Sequence, residues 1–358
     1  MSMHAAAPAV FPGTGARLAA ELLAAELLSA GGASPHLAAL PELPARGHHA
    51  TLLGRAVAQL SELYAELTSY GWRLTQRPGA DHQRAVQLLR ADVDTLADVR
   101  GERAELHGEA PSPLKLEVLG PVSLAARLAL PSGEKVLIDH GARRDLAESL
   151  ASGVAGHVEH VRRTCAPERL TVVLEETGYG RVRAGEVPTV SGYRTIRSLP
   201  RDEARAMVGV VVEALRTAGA DEVLLDLGGP PAAEHAEDFR GRDSSRVDGF
   251  GISVPELRGV DWVRVAELTE SGAHWLAGLL RPAETSREAL PQVRALAARL
   301  TEPWQALGMP ASSLEAFTAT SFSGDSRERP AALDEASALR TVARVRDAAE
   351  ALTEQISS

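Results

Sequence analysis

Residues 170–180 read LTVVLEETGYG, and this stretch shows the pattern that decides the fold. A run of mainly aliphatic residues ends abruptly in two adjacent carboxylates, Glu175 and Glu176, and a glycine-containing turn follows. A short apolar run bounded by turn residues is typical of a strand that is buried on both faces. The stretch therefore predicts one strand of a helix-covered sheet, with two acids at its carboxyl end.

Strands and helices alternate along the chain on both sides of this stretch. Apolar runs predict strands at residues 114–119, 170–175, 222–227, 250–254, 273–280 and 314–320. Apolar residues at helical spacing predict helices at about 143–163, 201–218, 261–271, 286–306 and 333–355. Such an alternation is typical of a parallel sheet that is covered by helices.

Two architectures satisfy this alternation, a closed barrel and an open doubly wound sheet. An open sheet that binds a dinucleotide carries G-x-G-x-x-G between a strand and a helix, and this sequence has no such motif there. The length of 358 residues and the number of strand–helix units favour the barrel. We therefore expect an α/β fold, a (β/α)8 TIM-type barrel.

The segment before residue 114 has mainly helical patterns, at residues 15–32, about 50–68 and about 80–98. We expect one barrel domain spanning residues 1–358, with an N-terminal helical extension. A polar insert at about 228–247 interrupts the alternation and is the best candidate for a mobile loop.

Composition narrows the possible functions. The formal net charge is −10, which argues against a nucleic-acid partner because phosphate neutralisation needs a basic surface. No run of about 18 apolar residues predicts a membrane-spanning helix. A single cysteine cannot form an intrachain disulfide or a cysteine-based zinc cluster. With no signal-peptide pattern at the N-terminus, we expect a cytoplasmic protein.

Candidate site residues follow from the strand ends, because barrel enzymes place their working groups there. Glu175 and Asp226 end neighbouring predicted strands, and we take them as candidate catalytic residues. The candidate substrate-binding residues are Trp72, Ser123, Glu176 and Ser321. Two other roles remain open: such a carboxylate often caps a helix or forms an ion pair, and Trp72 fits core packing equally well.

The two adjacent glutamates cannot act as a pair. Neighbouring residues of a strand point to opposite faces of the sheet, so only one of Glu175 and Glu176 can face the barrel axis. Acid–base catalysis by paired carboxylates requires both groups in one cavity. The dipeptide alone is therefore not a catalytic dyad.

Five stretches in order resemble the cobalamin-independent methionine synthase family, most closely its short, single-barrel actinobacterial form. They are PELPARG at 41–47, SYGWRLTQRPG at 69–79, LKLEVLGPVSLAARLALPSGEK at 114–135, VVLEETGYGRVRAGEVPTVSGY at 172–193 and FTATS at 317–321. The resemblance extends over residues 11–352. It implies a barrel of the uroporphyrinogen-decarboxylase and methionine-synthase type.

The resemblance also implies a reaction, the transfer of a methyl group from a methyl-folate to the thiol of homocysteine. In that family a zinc ion held by His, two Cys and an acid binds the thiol and lowers its pKa. The family's amino-acid-binding Asp falls on Glu175, which we therefore place facing the pocket. Its zinc-binding His-x-Cys strand end falls on Leu225, Asp226 and Leu227, and its later zinc-binding Cys falls on Ser321, so we expect no bound metal and no cofactor.

Three functions stay open at this stage. The chain is a methyltransferase of the methionine-synthase type, or a catalytically degenerate barrel that binds a folate, an amino acid or a protein partner. The third is a metal-free enzyme that uses Glu175 or Asp226 as acid or base. The expected partner is a small homocysteine-like or folate-like molecule, with neither nucleic acid nor membrane.

Overall fold

Eight parallel strands form a closed barrel in the computed structural model, which describes residues 3–27, 36–241 and 246–357. The ten strands in chain order are β1 His4–Ala5, β2 Ala38–Ala39, β3 Tyr64–Thr68, β4 Gly71–Thr75, β5 Leu114–Leu119, β6 Leu170–Glu175, β7 Glu222–Asp226, β8 Gly249–Ser253, β9 His274–Gly278 and β10 Phe317–Thr320. The barrel order is β1-β10-β9-β8-β7-β6-β5-β2, and β3 and β4 form a separate antiparallel hairpin.

Eleven α-helices lie among the described residues. They are α1 Ala16–Glu26, α2 Leu52–Ala58, α3 Ala80–His107, α4 Pro121–Arg127, α5 His140–Cys165, α6 Tyr179–Ala184, α7 Arg201–Thr217, α8 Ala233–Phe239, α9 Gly259–Glu270, α10 Val293–Ala306 and α11 Glu335–Ser357. At least one helix follows each barrel strand before the next barrel strand begins. The predicted (β/α)8 barrel is confirmed.

The barrel closes between its two shortest strands, which the sequence did not predict. Leu37, which precedes β2, forms backbone hydrogen bonds with β1 and the chain after it: its amide donates to the Ala5 carbonyl at 2.8 Å, and its carbonyl accepts from the Ala7 amide at 2.8 Å. Strands β1 and β2 have two residues each and consist mostly of alanine, so neither shows a strand pattern. The N-terminal segment thus supplies two barrel strands, with α1 between them.

The barrel interior is layered, and the order of the layers can be read along the strands. Thr171, Val173 and Glu175 of β6 share one face, because alternate residues of a strand do. Val173 belongs to a small apolar cluster, separate from the main core, with Ala6, Leu37, Leu224 and Leu276. On β6 and β7 this apolar layer separates a polar layer at the carboxyl ends of the strands from one at their amino ends, whereas on β5 the residue paired with Val173 is Glu117.

Two predicted helices differ from the structure. The pattern at 50–68 contains only α2, and from residue 64 onward the chain enters the hairpin of β3 and β4. Helix α10 begins at Val293 instead of about 286. Pro291 disfavours helical backbone at the residue before it, which explains the later start.

The polar insert contains a packed helix. Helix α8 lies within it, and Phe239 at its end is fully buried in edge-on contact with Tyr179. Asp238 is buried as well and forms an ion pair with Arg201 of α7. Residues 242–245 lie outside the described part of the chain, so the mobile loop stays a prediction. No helix among the described residues has the length and apolar content of a membrane span.

A close helix contact provides a test of the packing. A Cβ added to Gly153 of α5 would lie 1.4 Å from the carbonyl oxygen of Gln59, at the end of α2, whereas one added to Gly156 would meet nothing within 4 Å. We predict that Gly153→Ala lowers the free energy of unfolding by about 1–3 kcal/mol or more, because the backbones must separate.

The control is Gly156→Ala, which lies on the same helix. It should leave stability unchanged or raise it by up to about 1 kcal/mol, because alanine favours a helix more than glycine does. Chemical denaturation of both variants measures the difference. Equal effects of the two substitutions would contradict the close approach of α2 and α5.

Candidate functional site

Glu175 and Asp226 lie side by side at the C-terminal mouth, the end of the barrel formed by the carboxyl ends of the strands. They are paired in register between β6 and β7. Both are buried, with exposed fractions of 2% and 1%. Because they occupy equivalent positions on adjacent parallel strands, their side chains point to the same side of the sheet, toward the barrel interior.

Asp226 is held by hydrogen bonds to both of its carboxylate oxygens. Oδ1 accepts from the amide of Gly228 at 2.9 Å. Oδ2 accepts from the hydroxyl of Ser323 at 2.7 Å and from the amide of Gly324 at 2.8 Å. Gly251 of β8 makes room for this carboxylate, since a Cβ there would lie 2.5 Å from Oδ2. Asp226 thus anchors the chain that follows β10.

That chain, residues 321–328, is here called the mouth segment, and it covers the C-terminal mouth. It carries Arg327, which is 6% exposed. The Arg327 guanidinium donates from Nε to Glu117 Oε2 at 2.8 Å and from Nη2 to Glu42 Oε2 at 2.9 Å. Nε also lies 3.4 Å from Glu175 Oε1. We call Glu42, Glu117 and Glu175 the acid cluster.

A second cation, Lys115, contacts the acid cluster from the side of the N-terminal mouth. The Lys115 ammonium donates to Glu117 Oε1 at 2.6 Å, from two residues earlier on β5. Burial alone would raise the pKa of Glu117, but Lys115 and Arg327 outweigh it and lower that pKa to about 2. Burial likewise acts to lower the pKa of Arg327, yet the carboxylates raise it well above its ordinary value. Glu117 and Arg327 are therefore both charged.

The pKa of Glu175 is shifted in the opposite direction from that of Glu117. Burial, reinforced by the neighbouring Asp226 carboxylate, raises the pKa of Glu175 well above its ordinary value, although Arg327 opposes the shift. Like charges at close range disfavour a second ionisation. A cation placed beside Glu175 therefore favours its ionised form.

Glu176 points away from the acid cluster, as strand alternation requires. Its carboxylate accepts hydrogen bonds from the Val122 amide at 2.9 Å, the Ser123 amide at 2.8 Å and the Ser123 hydroxyl at 2.6 Å. These donors lie in the first turn of α4. Burial raises the pKa of Glu176 to about 7, and the hydrogen bonds from Ser123 and Val122 counteract part of that shift. Glu176 and Ser123 thus join β6 to α4.

Two other candidate residues do not contact the acid cluster in this structure. Ser321 is buried, and its hydroxyl lies 3.4 Å from that of Thr341 on α11. The side chain on the mouth segment that contacts Asp226 is instead Ser323, two residues later. Trp72 is 2% exposed and contacts the ring of His49 edge-on at 5.5 Å. Their substrate-binding roles remain predictions.

Sequence reasoning did not identify four residues of this site: Glu42, Lys115, Glu117 and Arg327. The sequence does mark Lys115 and Glu117, because these two charged residues alternate with Leu114, Leu116 and Val118 in a strand that is otherwise apolar. Charges at every second position of a buried strand indicate a polar interior layer. Glu42 and Arg327 lie in loops, where no periodicity marks them.

The residues present do not fit the zinc ion that the family resemblance implies. Of the four matched positions, Leu225 and Leu227 offer no donor atom, and Ser321 is turned toward α11. Asp226 already accepts three hydrogen bonds. Across residues 3–27, 36–241 and 246–357, no group of three or more His, Cys, Asp and Glu side chains is arranged to hold a metal. A tight zinc site needs three or four such ligands.

The opposite, N-terminal mouth contains a cavity of about 480 Å³, lined in part by Lys115, Thr171, Glu222, His274 and Trp275. Glu222 Oε1 lies 2.5 Å from His274 Nδ1, and Glu222 Oε2 accepts from the Thr171 hydroxyl at 2.8 Å. The hydrogen bond with Glu222 raises the pKa of His274. The polar contacts of Glu222 join β6, β7 and β9 at their amino ends.

No protein-family model matches the sequence, and no curated protein matches it. Among solved structures, the B12-independent methionine synthase from Shewanella sp. W3-18-1 in complex with selenomethionine is similar, with 10% identity, a TM-score of 0.58 and coverage of 99% of both chains. The putative vitamin-B12 independent methionine synthase from Listeria monocytogenes has 13% identity and a TM-score of 0.49, covering 82% of this chain and 76% of its own. The Shewanella likeness shows a shared fold.

Glu176 provides a pH test. Its folded-state pKa of about 7 lies above the ordinary 4.5, so the folded protein binds this proton more tightly than the unfolded chain does. Its favourable contribution is therefore complete below pH 4.5 and declines as the pH rises to 7. We predict that Glu176→Gln removes about 3 kcal/mol of pH dependence from the free energy of unfolding across that range.

Urea denaturation of both proteins at pH 4.5, 6 and 7.5 measures this. The quantity of interest is the difference between the two proteins, since the other carboxyl groups titrate equally in both. A constant difference over this range would show that the folded state does not perturb Glu176.

Proposed function

We propose that this chain is a methionine-synthase-type barrel whose C-terminal mouth binds a small amine-bearing molecule, a homocysteine-like or folate-like ligand, and that it does not perform zinc–thiolate chemistry. The observation that carries the proposal is a buried set of carboxyl groups at that mouth, held against a cation. In barrels of this architecture the carboxyl ends of the strands are where ligands are bound and transformed.

The chemistry of the cluster supports a cationic ligand group. Glu42, Glu117 and Glu175 surround one guanidinium, and Glu117 stays ionised because cations neighbour it. An ammonium or guanidinium gains charge-assisted hydrogen bonds in such surroundings. Because the carboxyl groups are buried beneath the mouth segment, a ligand reaches them only when residues 321–328 move.

The Shewanella structure supports the same class of ligand. That protein was solved with selenomethionine, an amino acid that carries an ammonium group. An acid at the position of Glu175 would pair with such a group. The shared fold brings a carboxyl group of this chain to the carboxyl end of β6, within the mouth where a ligand would lie.

The donor set argues against a zinc-dependent step. In the part of the chain that the structure describes, no group of three or more His, Cys, Asp and Glu side chains is arranged to hold a zinc ion, which would lower the pKa of a substrate thiol. We therefore propose that this barrel has retained ligand binding but not methyl transfer.

One observation favours a second candidate, a metal-free acid–base enzyme. The pKa of Glu175 is raised by burial, while the adjacent Asp226 accepts three hydrogen bonds, so two neighbouring carboxyl groups have different surroundings. Neighbouring carboxyl groups in different surroundings serve as acid and base in many enzymes. In this candidate Glu175 donates a proton and Asp226 accepts one.

Thermal unfolding in the presence of amino acids and folates tests the binding proposal. A ligand that binds only the folded state raises Tm, by about 4 °C at a concentration roughly 100 times its Kd. Two measurements test whether the chain lacks zinc-dependent methyl transfer. One is metal analysis after incubation with zinc and desalting, and the other is an assay for methionine formation from methyl-folate and homocysteine. One equivalent of zinc with measurable turnover would overturn the assignment.

Glu175→Gln locates the ligand. We predict that this substitution abolishes the ligand-induced rise in Tm, because the neutral amide cannot complete the pairing with a cationic group. The matched control is Glu222→Gln, a buried acid at the opposite end of the neighbouring strand, which should retain the rise. Loss of the rise in both variants, or in neither, would place the ligand elsewhere.

A further inference from the structure

We propose that the acid cluster is a guanidinium-selective site, that Arg327 is its built-in occupant, and that a small guanidino compound competes with Arg327 for it. This inference rests on the proposed function in placing a ligand at the C-terminal mouth. It goes further by naming the ligand's cationic group and by assigning the closed mouth to a contact within the chain.

The geometry around Arg327 is that of a planar fork. Two nitrogens of the guanidinium, Nε and Nη2, both lie 2.8 Å from Glu117 Oε2. Nη2 also donates to Glu42, and Nε faces Glu175. A guanidinium presents fixed donors in one plane, whereas an ammonium is a compact point charge. Three acids around one plane therefore match a guanidinium better than an amine of equal charge.

The cluster also has hydrogen-bonding capacity that Arg327 does not use. Glu42 Oε1 and Glu175 Oε2 are buried and have no hydrogen-bond partner among the described residues, and both side chains are at least 97% buried. Arg327 Nη1 is likewise buried without a hydrogen bond. Buried polar atoms are normally satisfied, so these point to an occupant with more or better-placed donors than the tethered arginine offers.

The mouth segment is held by contacts that a competing ligand can replace. Apart from Arg327, Ser323 and Gly324 bind Asp226, and the Asp325 amide donates to the Gly228 carbonyl at 3.3 Å. At the start of the segment, the Leu280 amide donates to the Ser321 carbonyl at 3.0 Å. Arg327 attaches the C-terminal part of the segment to Glu42 and Glu117.

Arg327→Gln tests the site directly. The substitution leaves Glu42, Glu117 and Glu175 facing Lys115 alone, and it should lower Tm by roughly 5 °C. N-methylguanidinium chloride at about 10 mM should then raise the Tm of this variant by about 2–3 °C through binding in the emptied position. N-methylammonium chloride at the same concentration should give less than half of that rise.

Two controls define the result. In the wild-type protein the position is already filled, so methylguanidinium should leave Tm nearly unchanged. Arg329→Gln, two residues away, removes a surface guanidinium that binds the Pro282 carbonyl, and it should behave as the wild type does. Equal shifts in all three proteins, or equal shifts with the ammonium salt, would overturn the proposal.

A measurement on the wild-type protein guards against failure of the variant to fold. Agmatine at about 50 mM should accelerate amide hydrogen exchange in residues 321–328 by about threefold or more, while n-butylamine should not. Unchanged exchange would refute competition with Arg327.

The failure of this proposal and the failure of the proposed function can be told apart. If methylguanidinium raises the Tm of Arg327→Gln while no amino acid or folate raises the Tm of the wild-type protein, the guanidinium site is supported and the proposed function is refuted. If an amino acid or folate raises the Tm of the wild-type protein while methylguanidinium has no effect on Arg327→Gln, the proposed function is supported and the guanidinium site is refuted.

Discussion

The ion pairs of Arg327 connect parts of the chain that are far apart in sequence. The bond from Arg327 to Glu42 spans 285 residues, and the bond to Glu117 spans 210. Each carboxylate would be costly to bury alone. Arg327 pairs with Glu42 and, together with Lys115, with Glu117. The mouth segment therefore supplies one of the two cations that keep Glu117 charged.

Strand alternation explains why the cluster forms. In β6 and β7 every second residue faces inward, which gives Thr171-Val173-Glu175 and Glu222-Leu224-Asp226 on the barrel axis. Val173 and Leu224 separate the acids of the two mouths on these strands, and on β5 Lys115, which lines the N-terminal cavity, donates to Glu117 of the acid cluster. The outward neighbour Glu176 joins α4 instead. Because adjacent residues of a strand point to opposite faces, the two neighbouring glutamates have different contacts: Glu175 faces the barrel interior and Glu176 binds α4.

The fold and the chemistry of this barrel are separable. A fold shared with a B12-independent methionine synthase from Shewanella does not bring with it, among the described residues, a group of side chains arranged to hold a metal. Function resides in the site and not in the fold that carries it. At the C-terminal mouth of this chain, an acid cluster surrounds the side chain of Arg327.

The sequence by itself determined the strand–helix alternation from residue 114 onward, the barrel class and the opposite orientations of Glu175 and Glu176. These follow from local periodicity, which each segment carries within itself. Only the tertiary structure decided that β1 and β2 close the barrel, that Ser321 faces α11, and that Glu42 and Arg327 join Glu117. Such contacts depend on how segments that are distant in sequence pack together, and the local sequence of a loop does not predict which residue it will contact across the barrel.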